Sequence, residues 1–310
     1  MILRASMFLL ALFIAACSGQ QQDAAGHDST DSAVRPADTA VAGAQPSETS
    51  KPDSPADSLK VIWQGVSDNY TIFWSGKDIA ASAPGRDAAR FSMHDLLEHR
   101  WRMAFQSDDA PTGCSSEYSI RILSVVGSLI SMELSEYGQC PGAAHPNVTT
   151  SYESVVLANP DRPIALTHYF DEKDIYQALI NDGIVRKVLA SENISAPAAL
   201  PQLIHALSSA GGFCEYGFTD DLLTRFAFHH LEGDKVAVRL GVSHGAGACR
   251  GMLTQLGILL PIPEQLSDAL KRADAREEGF LMKDADAIAG KSESKIMLDD
   301  RNLNGGPLKH

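Results

Sequence analysis

Four cysteines, Cys114, Cys140, Cys214 and Cys249, constrain the fold most, because they bracket two hairpin patterns. Tyr118 to Val126 and Leu129 to Leu134 are apolar strand-like runs joined through Gly127-Ser128. Cys114 stands just before the first run and Cys140 just after the second. Leu223 to His229 and Val236 to Val242 repeat the arrangement around a Glu232-Gly233-Asp234 turn, with Cys214 upstream and Cys249 downstream. Four cysteines allow three pairings. Antiparallel partners bring the ends of a hairpin together, which selects Cys114–Cys140 and Cys214–Cys249. Each bridge would close a loop of about 25 to 35 residues, worth about 3 to 4 kcal/mol on the chain-entropy estimate. No two of these cysteines have the short spacing of a zinc finger.

Disulfides require an oxidising compartment, and the N-terminus supplies the address. Arg4 precedes the apolar run Met7-Phe8-Leu9-Leu10-Ala11-Leu12-Phe13-Ile14, which ends in Ala15-Ala16-Cys17. A basic start, a short apolar core and small residues at the exit have the layout of an export signal. The run falls short of the roughly 20 apolar residues of a membrane span. The cysteine after the small pair resembles a bacterial lipoprotein signal, in which that thiol is acylated and the chain is cut before it. Residues 1–16 are therefore expected to be a signal peptide, and Cys17 the lipidated first residue. Ser18, rather than Asp, points to the periplasmic face of the outer membrane.

From Cys17 to residue 58 the chain is Ala, Ser, Asp, Gln, Thr and Pro, without an aromatic residue. It cannot bury enough apolar surface to offset its ordering entropy and reads as a disordered tether. About 40 such residues would reach roughly 35 Å. Order is expected from residue 59 to 276, as one α+β domain of antiparallel sheets with inserted helices. Leu59 to Trp63 and Tyr70 to Trp74 read as strands around Ser67-Asp68-Asn69. Met93, Leu96, Leu97, Trp101 and Phe105 recur at helical spacing within Arg90 to Gln106. Thr149 to Val156 and Pro163 to Leu166 read as strands, Glu172 to Ser191 and Ala198 to Ser209 as helices. Leu253 to Leu260 is the last strand and Glu264 to Arg272 a closing helix. Residues 277–310 lose the pattern and read as a flexible tail. The formal net charge of −13 argues against nucleic acid or an anionic membrane surface as partner. It suits a cationic partner or, more simply, solubility, and the expected membrane attachment is through the lipid alone.

Gly241-Val242-Ser243-His244-Gly245 matches G-x-S-x-G behind a predicted strand. As a hydrolase elbow it would make Ser243 a nucleophile and would need a later acid and histidine. The sole later histidine is His310, in the expected tail, and no HGGG-type segment comes before. A glycine-rich bend before Cys249 is the expectation, with no catalytic residue and no enzymatic activity. His229 and His230 are adjacent on a strand and should face opposite sides. His94 and His99 lie five apart on a helix and should not converge. His145 sits in a turn, where a structural role is expected. No metal or cofactor site is expected.

Cys140-Pro141-Gly142-Ala143-Ala144-His145-Pro146-Asn147 leads into Tyr152-Glu153-Ser154-Val155-Val156-Leu157, then Arg162-Pro163-Ile164-Ala165-Leu166, Tyr169-Phe170 and a long helix. This order is similar to the core of an extracytoplasmic domain that forms the outer part of RsiV-type anti-sigma factors, which bind lysozyme. The same domain precedes the catalytic domain of PdaC-type peptidoglycan deacetylases. The likeness spans roughly Leu59 to Arg272 and is strongest from Tyr118 to Leu189. Asn159-Pro160-Asp161-Arg162 replaces the family's glycine-lysine turn, an extra alanine enters before His145, and the four cysteines are additions. Neither a deacetylase domain nor a sigma-binding segment is expected. The resemblance implies the α+β fold and capture of a lysozyme-like, cationic peptidoglycan hydrolase. A glycan-binding or scaffold role in the envelope is the alternative.

Overall fold

A computed structural model describes residues 60–83, 86–104, 113–210, 217–242, 254–290 and 293–299, without the side chains of 86–90 and 254. All of them belong to the unit spanning residues 55–310. Strands β1 (Val61–Ser67), β2 (Tyr70–Ser75), β3 (Ile79–Ala83) and β4 (Arg86–Ser92) form a four-stranded antiparallel meander in that order. The first turn is set by Asp68 and Asn69, both at positive φ (48° and 69°), the geometry of the tight hairpin turn that matches strand twist. Helix α1 (Met93–Ala104) follows directly. Its start is held by Asp78, whose carboxylate accepts from the His94 N–H (2.9 Å) and the Ser92 hydroxyl (2.6 Å). The sequence pattern extends this helix back to Arg90, but Arg86–Ser92 pair with β3.

Next come β5 (Ser115–Val126), β6 (Leu129–Gln139), β7 (Asn147–Val156) and β8 (Asn159–Pro163). Gly127 supplies the positive φ of the β5–β6 turn. Leu166–His168 is a 3-10 turn, followed by α2 (Glu172–Asn181), α3 (Gly183–Ser191) and α4 (Leu200–Ser209). The single helix expected over Glu172 to Ser191 is thus two. Asp182 has extended backbone, and its carboxylate accepts from Ile184 N–H (2.7 Å) and Val185 N–H (3.0 Å), capping a new helix. Strands β9 (Phe226–Glu232), β10 (Lys235–Val242) and β11 (Thr254–Pro261) form a three-stranded sheet with β10 central. Helix α5 (Ser267–Asp274) precedes α6 (Met282–Ala289) and β12 (Ser294–Asp299).

The last two elements correct the expected tail. β12 pairs with β5 and completes a five-stranded sheet of order β12-β5-β6-β7-β8. Phe280 and Leu281 are fully buried, and Ser294, Ile296 and Leu298 turn inward in alternation. The alternation is only three residues deep and lies among Lys, Ser and Asp, so β5 makes the strand.

Two large apolar clusters result. One side chain set from β1–β4, α1, α6 and one face of the five-stranded sheet packs around Trp74, Trp101, Ile120, Met132 and Phe280. The other joins α2–α5 to the three-stranded sheet around Phe170, Leu179, Leu203, Phe226 and Val238. A row of buried serines ties the sheets together. Ser124, Ser131 and Ser154 are cross-strand neighbours on β5, β6 and β7. Ser154 donates to the Phe226 carbonyl, and Ser124 accepts from Phe228 N–H at 3.3 Å. Both β9 groups lie on its outer edge, where a buried strand would otherwise leave backbone polar groups unpaired.

Cys114 and Cys140 are joined, with Cα atoms 4.1 Å apart. Cys114 immediately precedes and Cys140 immediately follows the terminal ladder pair Ser115–Gln139, so the hairpin itself brings them together. Cys214 and Cys249, the other expected pair, lie outside the described residues, as do Cys17 and Ser243. Among the described residues no helix is long and apolar enough to cross a membrane.

Candidate functional site

The strand parity of β5 and β6 creates the site. Ile122, Ile120, Tyr118 and Ser116 line one face of β5, and Leu134, Glu136 and Gly138 oppose the last three of them on β6. Towards the hairpin this face is apolar core. Towards the disulfide it turns polar, and α1 covers it only in part. A cavity of about 430 Å³ opens there, lined by Trp101 of α1, Ser116, Tyr118, Glu136 and the bridged Cys114 and Cys140. The loop after β6 adds Ala143 and His145, and Asn147 begins β7.

Glu136 is held in one orientation. Its Oε1 accepts from the Ser116 hydroxyl (2.8 Å) and the Tyr118 hydroxyl (3.1 Å). Burial, then the neighbouring Glu136 charge, push the Tyr118 phenol above its ordinary pKa, so it stays a donor. Gly138 keeps the approach open: a β-carbon there would stand 3.2 Å from Ser116 Oγ and 3.6 Å from Glu136 Oε1.

Arg100 reaches across from α1 to Glu153 on β7. Its two terminal nitrogens donate to the two carboxylate oxygens at 2.9 and 2.6 Å. Burial works against the guanidinium charge, but the Glu153 hydrogen bonds and charge outweigh it and raise the pKa of Arg100. The pair is bidentate and half-buried, the geometry in which an Arg–carboxylate contact is strong, and it clamps α1 onto the sheet beside the cavity.

Other nominated residues fare differently. His145 is at the cavity, with Nδ1 3.3 Å from the Pro146 carbonyl. His94 lies 3.9 Å from Glu98 on its own helix. His229 and His230 do not face opposite ways: their Nδ1 atoms are 2.8 Å apart. The cause is a bulge. Ala237 pairs with His230 and Val238 with Phe228, leaving His229 as the extra residue. Among the described residues no three His, Cys, Asp or Glu side chains are placed to hold a metal. Of the G-x-S-x-G stretch, Gly241 is described and packs against Tyr152: a β-carbon there would lie 2.8 Å from the ring.

Arg100, Ser116, Tyr118, Glu136 and Glu153 belong to no catalytic or metal-binding motif in the sequence. The available signal was parity. A glutamate in phase with Met132 and Leu134 on a core-facing strand is a charge on an apolar face, and such a residue is informative where an exposed one is not. No protein family, curated protein or solved structure matches the chain.

Proposed function

We propose that this chain is a non-catalytic envelope lipoprotein, anchored through acylated Cys17 at the periplasmic face of the outer membrane, that captures a cationic, lysozyme-like peptidoglycan hydrolase. The observation that carries this reading is a coincidence of place. Cys140, Ala143, His145 and Asn147 belong to the segment similar to lysozyme-binding anti-sigma domains, and they line the same cavity as Glu136. The chain's net charge of −13 supports it, since charge complementarity speeds encounter with a basic protein. Capture here would mean sequestration, because a lipid anchor has no rigid element to carry a shift across a bilayer. Pull-down of lysozyme on the immobilised full chain tests the reading. Retention that weakens with added salt is expected; no retention at low or moderate salt refutes it.

A second reading is favoured by the cavity's lining. Trp101 and Tyr118 beside the amides of Gln139 and Asn147 combine ring surface with hydrogen-bonding groups, which suits a sugar. Co-sedimentation with purified peptidoglycan, without retention of the hydrolase, would support it over the first.

A further inference from the structure

Resting on the reading of this chain as a receptor for a basic protein, we propose that the cavity between α1 and the open end of the β5–β6–β7 ladder seats one lysine or arginine side chain of that partner, with Glu136 as its counter-charge.

Charge accounting at the cavity points to a cation. Arg100 also lines the cavity, but its charge is matched by Glu153, to whose two carboxylate oxygens its terminal nitrogens donate. Glu136 has no such partner. Its hydrogen-bonding neighbours are the hydroxyls of Ser116 and Tyr118, both on Oε1. Among the described residues nothing donates to Oε2. A fixed carboxylate with one oxygen unspent is a preorganised acceptor for an N⁺–H donor, and such charge-assisted bonds are about twice as strong as neutral ones.

The walls fit the same guest. Trp101 and Tyr118 supply aromatic surface beside the carboxylate. An ammonium or guanidinium is drawn to aromatic faces as well as to negative charge. The volume of about 430 Å³ is near the lower end for ligand sites. It accommodates the end of one long side chain, not an interface. Gly138 leaves room beside the Ser116 hydroxyl that orients Glu136, since a β-carbon there would stand 3.2 Å from Ser116 Oγ. An anionic ligand would meet the Glu136 charge beside a guanidinium already matched by Glu153.

The test uses the full chain, wild type and Glu136→Gln, which keeps the shape and the acceptor oxygen but removes the charge. The probes are N-acetyl-arginine amide, its neutral isostere N-acetyl-citrulline amide, chitotriose and lysozyme. Titration of the wild type with the arginine amide should shift the amide resonances of Ser116, Glu136 and Gly138 saturably. The citrulline amide should not, and Glu136→Gln should abolish the shift. Glu136→Gln should also weaken lysozyme capture about tenfold or more, the worth of one charged hydrogen bond, with an unchanged melting temperature. If the wild type fails to retain lysozyme but discriminates arginine from citrulline, the functional reading falls and the cation site stands. Equal response to the two amides overturns the cation site, as does a cavity filled by chitotriose with no dependence on Glu136. Because the arginine–citrulline comparison needs only wild-type protein, a variant that fails to fold leaves the proposal falsifiable.

Discussion

Single residues here carry packing constraints that a sequence motif does not show. Gly241 opens a G-x-S-x-G match, yet its lack of a side chain is required by Tyr152, 1% exposed, against which it lies. Gly241→Ala should destabilise the protein by about 1 to 3 kcal/mol, the usual range for overpacking a core, read as a lowered urea midpoint. An unchanged midpoint would show that the close contact does not constrain the position. The His229–His230 pair makes a second residue-scale prediction. Burial first, then the charges of Arg239, His230 and Lys283, lower the His229 pKa below its ordinary 6.5. The native state therefore favours the neutral ring, and the unfolded chain takes up the proton first as pH falls. This contribution to stability is present above pH 6.5 and is lost as pH drops through the lowered native value. Thermal melts across that window should show a decline that His229→Gln flattens. The pairing of these rings could not be read from the sequence, because a bulge is decided by the partner strand, here by where Ala237 and Val238 find their mates. Glu136 differs: its parity with Leu134 was on view.

At the scale of elements, legibility followed how much of the burial pattern an element carries by itself. The β5–β6 hairpin was plain because two long apolar strand-like runs flank a glycine turn, and its bridge followed from the geometry of paired ends. β3 was not legible, since Ile79-Ala80-Ala81-Ser82-Ala83 is mostly small side chains with little hydrophobic contrast to read. β12 was hidden for another reason: its inward residues Ser294, Ile296 and Leu298 acquire meaning only against β5. This strand covers the outer edge of the longest strand pair, so its loss should be felt there. Ile296→Ala should cost about 2 to 5 kcal/mol, as for other buried large-to-small changes. Hydrogen exchange should then accelerate at β5 amides from Glu117 to Ile120 before it does in β10. Uniform acceleration throughout both sheets would indicate instead that β12 serves global stability alone. The Cys114–Cys140 bridge acts at the opposite end of the same hairpin. Replacing both cysteines by serine should remove about 2 to 4 kcal/mol and, since the two sulfurs belong to residues lining the cavity, should also weaken whatever the cavity binds.

For the whole molecule, the proposed address and the proposed recognition site lie in separate stretches of the sequence. The cavity is built from residues between Arg100 and Glu153, whereas the proposed anchor is a single thiol at Cys17. If lipidation only localises, its removal should leave affinity untouched. Cys17→Ser should shift the protein from the membrane fraction to the soluble periplasmic fraction. The soluble variant should hold lysozyme with the same affinity and the same salt sensitivity as the detergent-solubilised parent, because both properties would come from the acidic domain. The two effects can be measured on one preparation by fractionation followed by pull-down. A Cys17→Ser protein that stays with the membrane would remove the lipid anchor from the account. One that leaves the membrane and also loses lysozyme would mean that the anchor takes part in recognition, through clustering at the surface. In that case avidity between neighbouring copies, and not a single cavity with one carboxylate, would have to supply the binding strength.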